Sequence, residues 1–307
     1  MLRAVRISLL LGLFVLITTT LTVSAQQDII PKAANVLYAG ESATSDLLDV
    51  YTPDGGTSPY PVVIMYTTSS GSKSDLTDFG APQSVASMGY AVVTVGYRTS
   101  LPEMYSDAFC ALAWVYANAQ QYHLDTNRIA LYGISWGGLT SAIIAGTDDP
   151  TSYLTNCPNS LPDRHVLRGV ITNSGVFFTS TYEITEFVSD GLLAGVAHLP
   201  ADTLKQTLDL LQANPADKWS TLQFSDDAKN VLENFPPFHL KGHEPPFLMV
   251  QGVSDSTVPY ADTLTYAQAL LKHGNKVQLV FDPLSGHGVS ISVYDQEMAA
   301  FLKRIFG

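Results

Sequence analysis

Two short stretches limit the architecture more than any others. Val62-Val63-Ile64-Met65 and Ala91-Val92-Val93-Thr94-Val95 are almost unbroken apolar runs. A strand with one wet face alternates polar and apolar residues, so uninterrupted runs belong to strands covered on both faces, as in a largely parallel sheet. With these runs at 62–66 and 91–95, further strand-like runs lie at 47–51, 128–132, 169–172, 247–251 and 277–281. Helical patterns fall between them at 76–88, 103–122, 136–145, 261–273 and 293–305. This alternation predicts an α/β chain: an open, mostly parallel twisted sheet with helices on both faces.

The rhythm breaks once. Between about residues 176 and 245 there is no convincing strand, only helical patterns at 182–198, 201–212 and 225–232. That is far more chain than an ordinary helix-to-strand connection uses. The segment is expected to be a helical cap inserted over the carboxyl edge of the sheet, where open α/β sheets bind ligands.

The first 25 residues read as a secretory signal. Arg3 and Arg6 precede an apolar run at 7–17, and Val23-Ser24-Ala25 offers small residues for cleavage before Gln26. The mature chain, 26–307, is therefore expected to be secreted or periplasmic, without a stable membrane anchor. Two cysteines, Cys110 and Cys157, are an even count in an exported chain, which predicts a disulfide between them. The sequence carries 16 Lys+Arg against 28 Asp+Glu, a formal charge of −12. No basic face of the kind that neutralises phosphates is available, so nucleic acid is not an expected partner. A hydrophobic share of 46% likewise excludes a disordered chain.

The chemistry starts at Gly133-Ile134-Ser135-Trp136-Gly137, a G-x-S-x-G pattern. By itself the pattern is weak, but a strand-like run enters it and a small-residue helical stretch leaves it, the context of a nucleophile elbow. Ser135 is the expected nucleophile. A serine hydroxyl needs an adjacent base, which an acid in turn orients. Asp255, after the strand-like run 247–251, is the expected acid, with Asp262 and Asp282 as rivals. His287, between Gly286 and Gly288 after the run 277–281, is the expected base. The other six histidines lie in helices, the cap or connections elsewhere.

The order Ser, Asp, His with these strand placements resembles the α/β-hydrolases of the esterase/lipase superfamily. It is most similar to the carboxylesterase group around hormone-sensitive lipase and the microbial feruloyl- and acetyl-esterases. The resembling stretches are 61–66, Gly96-Tyr97-Arg98 with the helix after it, 125–138, 246–259 and 277–288. The resemblance implies the α/β-hydrolase fold, a Ser/Asp/His triad, no cofactor and hydrolysis of carboxylic esters through an acyl-enzyme. One departure stands out. Where that group carries a histidine and glycines after its third strand, this chain has Tyr66-Thr67-Thr68-Ser69-Ser70-Gly71. An oxyanion hole here would take one N–H from Trp136 and one from Thr68 or Ser69, with a hydroxyl of that loop as an optional extra donor.

Other polar features read as bland. Arg98 is expected to brace the loop after its strand. Tyr182, Phe187 and Trp219 are candidates for an acyl or alcohol pocket, with simple helix packing as the competing role. His239 and His243 stand four apart, but Gly242 and the flanking prolines argue against a helix, and no metal site is expected. The substrate expected is a small-molecule or polymeric ester. A prolyl-type serine peptidase and an inactive binding scaffold are the competing readings.

Overall fold

The computed structural model describes residues 30–40, 45, 47–53, 55–162, 165–189 and 199–307, with the backbone alone for 186–189. Residues 1–25, where a secretory signal is expected, His198 and the Phe187 side chain lie outside the described residues.

Eight strands form one sheet: β1 (Ala33–Leu37), β2 (Leu47–Tyr51), β3 (Tyr60–Tyr66), β4 (Ala91–Val95), β5 (Leu124–Ile134), β6 (Leu167–Asn173), β7 (Phe247–Gly252) and β8 (Val277–Asp282). Their order is β1-β2-β4-β3-β5-β6-β7-β8. Strand β2 is antiparallel to both neighbours, and every pairing from β4 through β8 is parallel. The two apolar runs sit side by side near the middle of this sheet, in register from Val62↔Ala91 to Tyr66↔Val95. Successive side chains of a strand point to opposite faces, and β3 shows why both faces must be apolar. Val62, Ile64 and Tyr66 enter one core cluster, whereas Val63 and Met65 enter another. Each such aliphatic side chain contributes about 1.5–3 kcal/mol on full burial.

Strand β1 is an addition to the sequence expectation. Its residues are Ala-Ala-Asn-Val-Leu, its pairing slips between Ala33 and Val36, and Asn35 has φ 55°. A bulged edge strand has no period of two to read. The helix expected at 76–88 is two helices, α1 (Ser74–Asp78) and α2 (Ala81–Ser87), broken at left-handed Gly80 with Pro82 just inside the second.

Helices α3 (Glu103–Tyr122) and α4 (Trp136–Gly146) cover one face with the cluster built on Ile64. Helices α1, α2 and α9 (Asp295–Phe306) cover the other with the cluster built on Val63. Helix α8 (Tyr260–Lys272) joins α4, β6 and β7 in a third cluster around Tyr266 and Met249.

The segment between β6 and β7 holds α5 (Thr181–Ser189), α6 (Ala201–Gln212) and α7 (Asp226–Leu232), with single turns at Ala216–Thr221 and Pro236–His239. Leu211, Trp219, Val231 and Phe235 merge with the α3/α4 core rather than forming a core of their own. The Tyr105 hydroxyl on α3 donates to the Asn234 carbonyl at 2.7 Å, tying the segment to the main layer.

Cys110 on α3 is disulfide-bonded to Cys157 in the loop after α4, with Cα atoms 5.3 Å apart. Closing a loop of this size stabilises a fold by about 4 kcal/mol. Among the described residues no helix is long and apolar enough to cross a membrane.

Candidate active site

Strand β5 ends in a turn that only this sequence pattern allows. Ser135 has φ 54° and ψ −115°, a conformation rare for a residue with a side chain. The turn closes because its glycines leave room. A Cβ on Gly133 would lie 1.9 Å from the Gly137 carbonyl oxygen, and one on Gly137 would lie 2.1 Å from that of Tyr66. The Ser135 N–H donates to the Asn173 carbonyl at 3.0 Å, and its own carbonyl accepts from Gly138 at 2.9 Å. Strain of this kind costs about 1–3 kcal/mol and persists where surrounding contacts over-determine it. The result is a serine at the N-terminus of α4, facing a cavity of about 830 Å³ at the carboxyl edge of the sheet.

His287 lines the same cavity. Its Nδ1 lies 2.9 Å from Asp255 Oδ2. The Asp255 side chain is fully buried and that of His287 is 28% exposed. Asp255 is saturated with donors: Oδ1 accepts from the N–H groups of Thr257 (2.9 Å) and Val258 (2.8 Å), and Oδ2 also accepts from Gln251 Nε2 at 2.9 Å. Burial alone would raise this acid, but Val258, His287 and Thr257 together outweigh it and hold the carboxyl below the usual carboxylate range. An ionised carboxylate only accepts. The pairing therefore assigns the proton of neutral His287 to Nδ1 and leaves Nε2 with a lone pair. The rival acids are elsewhere: Asp262 is bound to other partners, and Asp282 ends β8 without a hydrogen bond to this histidine. Among the described residues no hydrogen bond joins Ser135 Oγ to His287; such bonds are often long until a ligand closes the site.

The histidine loop is anchored from below by residues that sequence reading did not single out. Gly288 N–H donates to Ser174 Oγ at 3.0 Å. Asn173 accepts from Val289 N–H at 2.9 Å and donates to the Val289 carbonyl at 2.8 Å. Asn173 Nδ2 also reaches the Tyr294 hydroxyl, itself 2.8 Å from that of Tyr132. Nothing local in the sequence marks these polar residues, because their partners lie more than a hundred residues away.

Thr68, Ser69 and Trp136 line the same cavity. The Thr68 hydroxyl donates to Asp75 Oδ2 at 2.5 Å, so this loop offers backbone N–H groups rather than that hydroxyl.

Another part of the cavity lining carries Tyr182, Glu183 and Asp262. Ser180 and Glu183 form a capping box on α5: Glu183 accepts from the Ser180 N–H (3.0 Å) and hydroxyl (2.8 Å), while the Glu183 N–H reaches back to Ser180 Oγ. Asp262, buried at the start of α8, accepts from the N–H groups of Phe177 (2.6 Å) and Thr179 (2.9 Å) and from the Thr179 hydroxyl. The two carboxyls are in hydrogen-bonding contact. Burial raises both; it pushes Glu183, with the help of Asp262, up to about 7. Two touching carboxylates cannot both ionise cheaply, so the pair retains a proton.

The remaining candidates divide. Tyr182 is 68% exposed on the cavity rim. Trp219 is not a pocket residue: it is buried, its Nε1 donates to the carbonyls of Asn214 and Leu211, and its ring stacks on Phe238. Arg98 grips Asp107 with Nε and Nη2, and its N–H donates to the same carboxylate, which braces the start of α3. His239 contacts the Glu233 carbonyl and His243 pairs with Asp148, so the two rings do not share a site. Among the described residues no group of three or more His, Cys, Asp or Glu side chains is arranged to hold a metal.

The chain is similar to Esterase LipC of Mycobacterium tuberculosis, 25% identical over an alignment of 266 residues that covers 83% of this chain and 59% of that protein. It spans between about a third and three-fifths of the curated relatives it matches. A solved structure described as a truncated carbohydrate esterase from gut microbiota superposes with a TM-score of 0.65 at 19% identity, covering 90% of this chain and 97% of that one. A propionate-bound thermophilic esterase from Thermogutta terrifontis gives 0.64 at 17% identity, covering 91% and 96%. These likenesses show the α/β-hydrolase fold. The family model described as BD-FAE matches residues 48–270, which include Ser135 and Asp255 and end before His287, and the chain belongs to the BD-FAE family.

Proposed function

We propose that this protein hydrolyses carboxylic esters through an acyl-enzyme on Ser135. The observation that carries the reading is the pairing of buried Asp255 with His287, which opens on the cavity that Ser135 also faces. Asp255, ionised and saturated with donors, holds His287 with Nε2 unprotonated. The Ser135 hydroxyl adds to the acyl carbonyl while Nε2 takes its proton. The tetrahedral oxyanion is received by backbone N–H groups of Trp136 and of Thr68 or Ser69. Collapse expels the alcohol, which takes the proton from His287. A water then loses its proton to His287, attacks the acyl-Ser135, and the acid leaves with Ser135 Oγ reprotonated. Asp255 stays ionised throughout and stabilises the imidazolium.

The names of the relatives, an esterase and a carbohydrate esterase among them, support an ester substrate, either a small molecule or the ester groups of a polymer. The Cys110–Cys157 disulfide supports the further proposal that the protein works in an oxidising compartment after export, with 1–25 as its cleaved signal.

A fluorophosphonate probe, with p-nitrophenyl acetate hydrolysis measured alongside, tests the reading. The expected result is stoichiometric labelling of Ser135 with parallel loss of hydrolysis. No labelling and no hydrolysis by a folded protein would leave the inactive scaffold; labelling with peptide cleavage and no ester turnover would favour the peptidase.

A further inference from the structure

The loop after β3 contains two consecutive amides with an unusual status. The N–H groups of Thr68 and Ser69 donate to no protein acceptor among the described residues, and both residues line the cavity beside Ser135. Their carbonyl side is fully engaged. The buried Tyr97, 1% exposed just after β4, donates its hydroxyl proton to the carbonyls of Thr67 and Thr68, the latter at 3.2 Å. In a trans peptide the carbonyl points opposite to the N–H of the following residue. Capturing the Thr67 and Thr68 carbonyls therefore turns the Thr68 and Ser69 N–H groups the other way, away from Tyr97.

Two further contacts lock this arrangement. Tyr97 N–H donates to the Gly71 carbonyl at 3.1 Å, and Gly71 N–H donates to the Thr68 carbonyl at 3.2 Å, so the loop closes on itself around the tyrosine. Asp75 grips the loop from its outer side through the hydroxyls of Thr68 (2.5 Å) and Ser70 (2.7 Å). The tyrosine hydroxyl also contacts Thr140 on α4, whose own hydroxyl donates to the Trp136 carbonyl at 2.9 Å. One phenol thus touches both the loop and the helix from which an oxyanion hole would be assembled.

We propose that Tyr97 is the positioning residue of the oxyanion hole, its hydroxyl presetting the N–H groups of both Thr68 and Ser69 toward the acyl oxygen. The inference rests on the ester-hydrolase reading and resolves which loop amides act: both do, as a pair of donors held by one clamp. It also explains how a loop without the histidine and glycines of the resembling group keeps its geometry. Threonine and serine side chains tie the outside to Asp75 while the tyrosine holds the inside. Preorganised donors stabilise a developing charge without reorganising during the reaction.

The test is Tyr97→Phe in the full chain, which keeps the ring and removes the donor. The readouts are kcat and KM on p-nitrophenyl butyrate per fluorophosphonate-titrated site, and the affinity of a trifluoromethyl ketone that forms a tetrahedral oxyanion on serine. Losing one oxyanion donor outright slows such enzymes by about 10²–10³-fold. Loosening two is expected to lower kcat per site by about 10–100-fold with KM within about twofold, and to weaken the ketone by the same factor. Replacing Tyr97 by p-aminophenylalanine, which restores an N–H donor, is expected to recover most of the loss. Asp75→Asn loosens the outer grip and keeps the assay informative should Tyr97→Phe not fold; a three- to tenfold parallel fall in kcat and ketone affinity is expected on the same grounds. Unchanged kcat per site and unchanged ketone affinity in the folded variants would overturn the role of Tyr97. A wild-type protein that neither labels nor turns over would instead overturn the ester-hydrolase reading beneath it.

Discussion

Two parts of the cavity lining are built on opposite principles. On the Ser135 side the groups that hold the reacting atoms have fixed partners. Asp255 accepts four hydrogen bonds, and the histidine loop hangs on Asn173 and Ser174. On the α5 side two carboxyls touch and retain a proton between them, and an exposed tyrosine stands at the rim. One wall is over-determined and tolerates a strained serine. The other is poised, so its charge depends on pH. A site that must aim a nucleophile needs the first, while a wall that meets varied ligands can accept the second.

Substitutions that probe this contrast should differ in both size and kind. The largest effect is expected from Asp255→Asn, which keeps the shape and removes the acceptor that sets the His287 tautomer. By analogy with other triads kcat should fall about 10³–10⁴-fold with little change in melting temperature. A tenfold loss or less would mean that another acid orients the imidazole. Ser174→Ala removes the acceptor of the Gly288 N–H and should loosen the histidine loop. The expected loss is about tenfold in kcat, as for a small misplacement of a catalytic group, with KM preserved. Equal loss in both constants would shift the role of Ser174 to substrate binding.

On the poised wall the expected effects are on stability rather than on chemistry. Asp262→Ala strands the N–H groups of Phe177 and Thr179, and thermal or urea unfolding should show a loss of about 2–4 kcal/mol. Glu183→Gln keeps the capping box but removes the ionisation. Because the folded protein holds the Glu183 proton more tightly than the unfolded chain, the stabilising contribution is complete below the ordinary glutamate pKa. It is lost as pH rises through about 7. Wild type should therefore lose melting temperature across that window, and the variant, which keeps only the raised carboxyl of Asp262, should lose less. At pH 8 the variant is expected to melt about 2–4 °C higher, and at pH 4 the two should coincide. A variant less stable at both pH values would show that the carboxyl, and not merely an acceptor, is needed at this position.

The same contrast governs what could be read from the chain before folding. The over-determined wall announces itself. Apolar runs at β3 and β4 name the central strands, and the glycines of Gly133-Ile134-Ser135-Trp136-Gly137 are there because the turn has no room for a Cβ. Asp255 and His287 follow strand ends in the expected order. Most of what supports those residues left no local trace: Asn173 and Ser174 are ordinary polar residues whose partners the fold supplies, and Tyr97, though inside a stretch that resembles the family, shows no sign of its role until its loop partners are in place. Strand β1 escapes because Asn35 breaks its period, and the single helix expected at 76–88 is two because left-handed Gly80 interrupts it. Glu183 is the instructive omission. Ser180-Thr181-Tyr182-Glu183 is a legible capping box, yet that Glu183 would touch Asp262 depends on two helices separated by seventy-odd residues in sequence.

The claim on which the account turns is that Ser135 becomes acylated during turnover. Quenching the protein in acid while it hydrolyses a slow p-nitrophenyl ester, followed by peptide mapping by mass spectrometry, measures this directly. The account predicts one acyl group on the peptide containing Ser135, absent in Ser135→Ala. Turnover with no acylated intermediate, or with the acyl group on another residue, would contradict it.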